Sequence, residues 1–151
     1  MIDYIPKFFE LSEFIHSDTA INRKFKNIPD WNGINRLNIL AQYLDVYREE
    51  LGEPIFITSG FRCPLLNVIV GGSATSHHCK CEAVDLQIGN RTENDAIRLF
   101  NFLKSFNEEH DINIDQCFIE YKKSTNSYWV HLGFNFDDPN KQRNQYGSIN
   151  V

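Results

Sequence analysis

No apolar run in this chain of 151 residues approaches the ~20 residues that a helix needs to cross a bilayer. The opening Met1-Ile2-Asp3-Tyr4-Ile5-Pro6-Lys7 also lacks the basic start and the continuous apolar stretch of a signal peptide. The expectation is a chain with no membrane segment, cytoplasmic as synthesised. A basic excess is missing too: Lys and Arg number 15 against 20 Asp and Glu, for a net charge of −5. Phosphate backbones demand a cationic face, so nucleic acid is not an expected partner. Cysteine is scarce, with only Cys63, Cys79, Cys81 and Cys117. The spacing Cys79-x-Cys81 is too tight for a structural zinc knuckle and no second pair matches it. Free thiols in a reducing compartment are expected, since a chain of this length needs no disulfide staples. Repeats, linkers and low-complexity tracts are absent. What remains is 42% hydrophobic and 13% aromatic. That fits one globular domain over residues 1–151, taken as a monomer by default.

Periodicity divides the chain into elements. Phe8 to Ile15 predicts a short helix with Phe8, Leu11, Phe14 and Ile15 on one face. Ser17 to Ala20 ends it or begins a turn, and Asn27 to Gly33 reads as a loop. Ile34 to Leu51 predicts a long helix. Its stripe is Leu37, Leu40, Ala41, Leu44, Tyr47 and Leu51, and Gly52 is its stop. Pro54 to Ser59 predicts a buried strand running into Gly60-Phe61-Arg62, and Pro64 to Val70 a short helix with proline in its first turn. Thr92 caps a helix through Phe106, with Asp95 completing a capping box. His110 falls in the polar loop that follows. Cys117 to Tyr121 and Tyr128 to Phe134 predict a hairpin. The tail, about residues 135–151, is polar and offers no chemistry.

The stretch from Ser76 to Leu86 holds two adjacent histidines, His77 and His78, with an aspartate at 85. From Ala83 it reads as a strand, with Val84, Leu86 and Ile88 on one face and Ala83, Asp85 and Gln87 on the other. A histidine in the loop before such a strand can turn back toward the carboxylate. Imidazole plus carboxylate suits zinc with an open position. A third ligand is available late, because Tyr128 to Leu132 places His131 on one strand face with Trp129. Such a set does not make a site by count alone.

The order of the pieces adds to it. Thr58-Ser59-Gly60-Phe61-Arg62, Gly71-Gly72-Ser73, Ser76-x-His78, Ala83-x-Asp85 and Trp129-Val130-His131 together resemble the zinc D-alanyl-D-alanine carboxypeptidase family. This is peptidase family M15, subfamily A, which shares its fold with the hedgehog signalling domain. The likeness runs from about Phe9 to Phe134. It departs at Cys81, where the family's loop pattern has glycine. The resemblance implies an α+β fold in which an antiparallel sheet carries a zinc site and helices pack against it. It implies His78, Asp85 and His131 as zinc ligands, and Arg62 with Ser76 as substrate-holding residues, Arg62 also polarising the substrate. Several relatives carry the general base as a glutamate three residues before the last histidine, where this chain has Tyr128. Glu120 closes a segment, Asp115 to Glu120, that resembles the family's segment ending in glutamate, and it is the expected base. Tyr128 or His77 could share the proton work, although His77 reads better as a bystander. The function implied is hydrolysis of peptidoglycan peptides by a D-alanyl-D-alanine carboxypeptidase or a lysin-type endopeptidase, delivered to the wall by some partner, as in a phage or prophage system. The alternatives are a non-catalytic zinc-containing binding module of the same fold, and a thiol enzyme using Cys79 or Cys81 with a neighbouring histidine.

Overall fold

The computed structural model describes residues 5–151. Met1 to Tyr4, the first part of the stretch read as no signal peptide, lie outside the described residues. The longest helix, α3 (Trp31–Leu51), starts where the Asp30 carboxylate accepts the Gly33 N–H at 2.8 Å and stops at Gly52, whose φ of 76° only glycine adopts cheaply. It begins before Ile34, so Gly33 sits in its first turn rather than in a loop. The expected stripe faces inward, with Leu37, Leu40, Ala41, Leu44 and Tyr47 almost wholly buried. Helix α5 (Glu93–Glu109) opens with the Thr92–Asp95 capping box and runs past Phe106, leaving His110 exposed at its end. No described helix is long and apolar enough to cross a membrane.

Five strands form one sheet in the order β1-β2-β4-β3-β5. These are β1 (Ile55–Ser59), β2 (Ala83–Ile88), β3 (Gln116–Lys122), β4 (Ser127–Gly133) and β5 (Gln145–Asn150). The contacts β1–β2, β2–β4 and β3–β4 are antiparallel, but β5 runs parallel to β3, so the sheet is mixed and not purely antiparallel. The tail therefore holds a strand that its sequence conceals. Tyr146 and Ile149 are its only apolar residues and fall on opposite faces, because an edge strand this exposed needs no alternating pattern.

Two further corrections share a physical cause at the periphery. β1 is an edge strand rather than a buried one. Only Ile55 is buried, and Phe56 lies outside under the Arg91 guanidinium at 4.9 Å. The first helix, α1 (Leu11–Ile15), is shorter than expected and its stripe is different. The backbone N–H groups of Lys7 and Phe8 are held by the Asp45 carboxylate at 2.7 and 3.0 Å. That tether keeps the chain extended, so Phe9 and Phe14 enter the core while Phe8 and Leu11 stay exposed. A second short helix, α2 (Asp18–Asn22), follows under a Ser17 cap.

The sheet has two unlike faces. Val84, Leu86, Ile88, Val130 and Leu132 join α3 and α5 in the core. On the other face Asp85 pairs with His131, His131 with Phe118, and Trp129 with Glu120. The polar face is walled by the chain between β1 and β2, which includes α4 (Pro64–Ile69). Gly60 fixes where that wall begins. The Phe61 N–H donates to the Phe14 carbonyl at 2.7 Å, and a Cβ on Gly60 would collide with the Phe14 backbone. Neither backbone can yield, so Gly60→Ala is expected to cost about 3 kcal/mol of stability in urea unfolding, at the upper end of overpacking penalties. Unfolding at the wild-type midpoint would contradict this packing.

Candidate metal centre

β2 and β4 place Asp85 directly opposite His131, and the His131 Nδ1 lies 3.1 Å from Asp85 Oδ1. The third group arrives on a 3₁₀ turn, His77–Lys80. Ser76 starts that turn by accepting the His78 N–H at 3.2 Å, and Cys81 ends it in the left-handed region, with φ 57°. A left-handed L-residue costs about 1–2 kcal/mol, which accounts for a glycine at this point in the family pattern. Cys81 is accommodated because Gly33 opposite has no side chain: a Cβ there would lie 2.8 Å from the Cys81 sulfur.

The orientation of His78 is set from behind. Its Nδ1 lies 2.7 Å from the Gly60 carbonyl, to which it donates, so Nε2 is the nitrogen turned to Asp85, at 3.3 Å. One ligand atom from each of His78, Asp85 and His131 lies within 4.8 Å of the others, and all three residues are buried. Among the described residues no other such group could hold a metal ion. The donor set fits zinc: two imidazole nitrogens and a carboxylate oxygen converge, one imidazole is braced by a backbone carbonyl, and the group opens to a cleft. Burial alone would push Asp85 up. The two imidazoles, by charge and hydrogen bonds, outweigh it and hold the carboxyl well below the usual range. Burial pulls the His131 imidazole down, but Asp85 more than reverses this and leaves it raised. The three groups are thus electrostatically coupled.

The centre lies in a cleft of about 700 Å³ that Arg62, Ser76, Glu120 and Trp129 also line. Arg62 donates from Nη2 to the Ser76 hydroxyl at 3.1 Å, while its Nε is buried without a hydrogen-bond partner. Glu120 faces the cleft because Ile119 beside it packs on the core. Burial raises the Glu120 carboxyl above its ordinary value, the Asp85 charge adds to this, and His131 opposes it. The Trp129 indole N–H donates to Glu120 Oε2 at 2.7 Å, and this bond favours the charged form and works against the rise.

The remaining candidates separate. His77 lines the cleft but is not one of the three converging groups; its Nε2 pairs with Asp115 at 2.9 Å. Arg143 grips the same carboxylate from Nε and Nη2, at 2.8 and 2.6 Å, and also lines the cleft. So the tail does contribute to the site wall, which the sequence did not signal. Tyr128 stacks on Tyr121 at 4.6 Å and packs against the core, outside the cleft, so it cannot share the proton work. All four cysteines are free and none lines the cleft. Burial pushes the Cys81 and Cys117 thiols up to about 12 and raises Cys79 as well, which leaves no activated thiolate for the thiol-enzyme reading.

No curated protein matches the chain. A family model described as Peptidase M15 does match, over residues 7–122, with Trp129 and His131 lying beyond its end on the partner strand of the hairpin. The mixed α+β arrangement and its five-stranded sheet are compatible with that assignment. Because the match covers well over half of its length, the chain belongs to the peptidase M15 family.

Proposed function

We propose that the chain is a zinc-dependent peptidase that hydrolyses amide bonds in peptidoglycan peptides, as a D-alanyl-D-alanine carboxypeptidase or a lysin-type endopeptidase. The carrying observation is the convergence of His78, Asp85 and His131 on the wall of a cleft that also presents Glu120 and Arg62. When bound, zinc supplies a Lewis acid and an open position at which water ionises near neutral pH. Glu120 takes the proton of the attacking water and returns it to the departing amine, and its raised pKa suits both transfers. Arg62, which lines the cleft and donates to Ser76, holds the peptide and stabilises negative charge on the carbonyl oxygen.

Cys81 and Tyr128, the two departures from the family pattern, are the features that would favour a non-catalytic module. Cys81 leaves the turn intact, and Glu120 reaches the cleft from the neighbouring strand, so neither departure removes a part that hydrolysis needs. Release of amines from peptidoglycan-derived peptides, with and without a chelator, separates the two. Zinc-dependent turnover is expected, and binding without turnover at full zinc occupancy would favour the module. Arg62→Ala is expected to keep zinc and lose roughly a hundredfold or more in kcat/KM, the size seen when one oxyanion donor is removed. Unchanged kinetics in that variant would exclude Arg62 from substrate contact.

A further inference from the structure

We propose that Trp129 is a positioning residue for Glu120: its indole N–H holds one carboxylate oxygen so that the other is presented to the attacking water. The inference rests on the reading of Glu120 as the general base. Trp129 and Glu120 sit directly opposite each other in the β3–β4 ladder, and both line the cleft. Their bond, Nε1 to Oε2 at 2.7 Å, is at the short end for an N–H donor and is of the charge-assisted kind. An indole has a donor and no acceptor, so Trp129 can orient the carboxylate but cannot itself take a proton.

Glutamate has three side-chain torsions and would otherwise sample several rotamers in an open cleft. The indole is a broad, stiff ring, and Trp129 lies two residues before His131 on the same strand. Strand geometry spaces the two by roughly 6–7 Å on one face. A single strand therefore carries both a candidate zinc ligand and the group that fixes the base. β4 thus fixes where the Glu120 carboxylate lies relative to His131, and the Trp129 bond curtails the freedom of the Glu120 side chain. Among the described residues only Oε2 of Glu120 has a hydrogen-bond partner, which leaves Oε1 for the reaction.

The test uses the full chain. Trp129→Phe keeps a flat aromatic and deletes the N–H. In the zinc-loaded protein kcat is expected to fall roughly ten- to hundredfold, the worth of a hydrogen bond to a charged group, with KM changed by less than about twofold and zinc content unchanged. A second readout needs neither metal nor turnover. The chain has only two tryptophans, Trp31 and Trp129, so its nitrogen–proton NMR spectrum has two indole signals. The Trp129 signal is expected well downfield of that of exposed Trp31, and Glu120→Gln is expected to move it upfield. A Trp129 signal that Glu120→Gln leaves in place overturns the proposal, as does a Trp129→Phe protein with wild-type kcat beside a slow Glu120→Gln protein. Wild-type turnover in Glu120→Gln, or no turnover in the wild-type chain, overturns instead the reading of Glu120 as base.

Discussion

His78→Ala is expected to abolish stoichiometric zinc binding and, with it, peptide turnover. His78 is buried, its Nδ1 is held by the Gly60 carbonyl, and its Nε2 is turned to Asp85. Among the described residues no other group converges with Asp85 and His131. His77 is held by Asp115, and the cysteines next to the turn lie outside the cleft. Structural zinc sites gain about 10–16 kcal/mol from a full ligand set. Losing one of three protein ligands should therefore cost at least about 3 kcal/mol, or more than a hundredfold in affinity. Equilibrium dialysis against a zinc indicator reads this directly, and His77→Ala should bind zinc like the wild type. The same measurement has a pH dependence of fixed sign. Zinc must displace the proton that Asp85 helps His131 to hold, and the His131 imidazole is raised. Affinity should fall as pH drops from about 8 to about 6. Zinc retained by His78→Ala, or lost on removing His77, would reassign the ligand.

Glu120→Gln is expected to keep the fold and the zinc while lowering kcat by roughly two to four orders of magnitude, the contribution of general acid–base catalysis. The amide occupies almost the same volume but offers the Trp129 N–H only a neutral, weaker acceptor, so the change removes the charge and proton acceptance without a change of shape. Its position supports this assignment. Asp85 is coupled to the two imidazoles. Glu82 points to the other side, where it pairs with Arg36 at 2.9 Å and accepts the Phe136 N–H. Among the described residues Glu120 is, besides Asp85, the other acidic side chain lining the cleft. A Glu120→Gln enzyme with wild-type kcat would require another base on this face; Tyr128 lies outside the cleft, whereas His77 lines it and would be the next group to test.

The parts of the site that were readable from sequence are those where alternation meets burial. A period-two pattern put Asp85 and His131 each on one strand face, and register then made them partners. The α3 stripe, the Thr92–Asp95 capping box and the hairpin were legible for the same reason: each is a local pattern with one low-energy solution. What escaped reading depends on distant contacts. Nothing near Phe8 announces that Asp45 will hold its backbone, so the wrong phenylalanine was expected in the core. β5 is an edge strand docked through Asn144, whose N–H donates to the Ile114 carbonyl at 2.8 Å, and its exposed residues carry no periodic signal. Arg143 reaches the cleft wall only because Asp115, buried at the head of β3, grips it. The Trp129–Glu120 bond follows from strand register, which sequence alternation suggests but cannot fix to the residue.

Anomalous diffraction at the zinc absorption edge, from crystals of the wild-type protein dialysed against zinc, locates the metal and its ligands together. One strong peak per chain is expected, about 2.0–2.2 Å from His78 Nε2, an Asp85 carboxylate oxygen and His131 Nδ1, on the wall of the cleft shared with Glu120. No peak at saturating zinc, or a peak held by His77, by the cysteines or by Glu120 in place of these three, would contradict it.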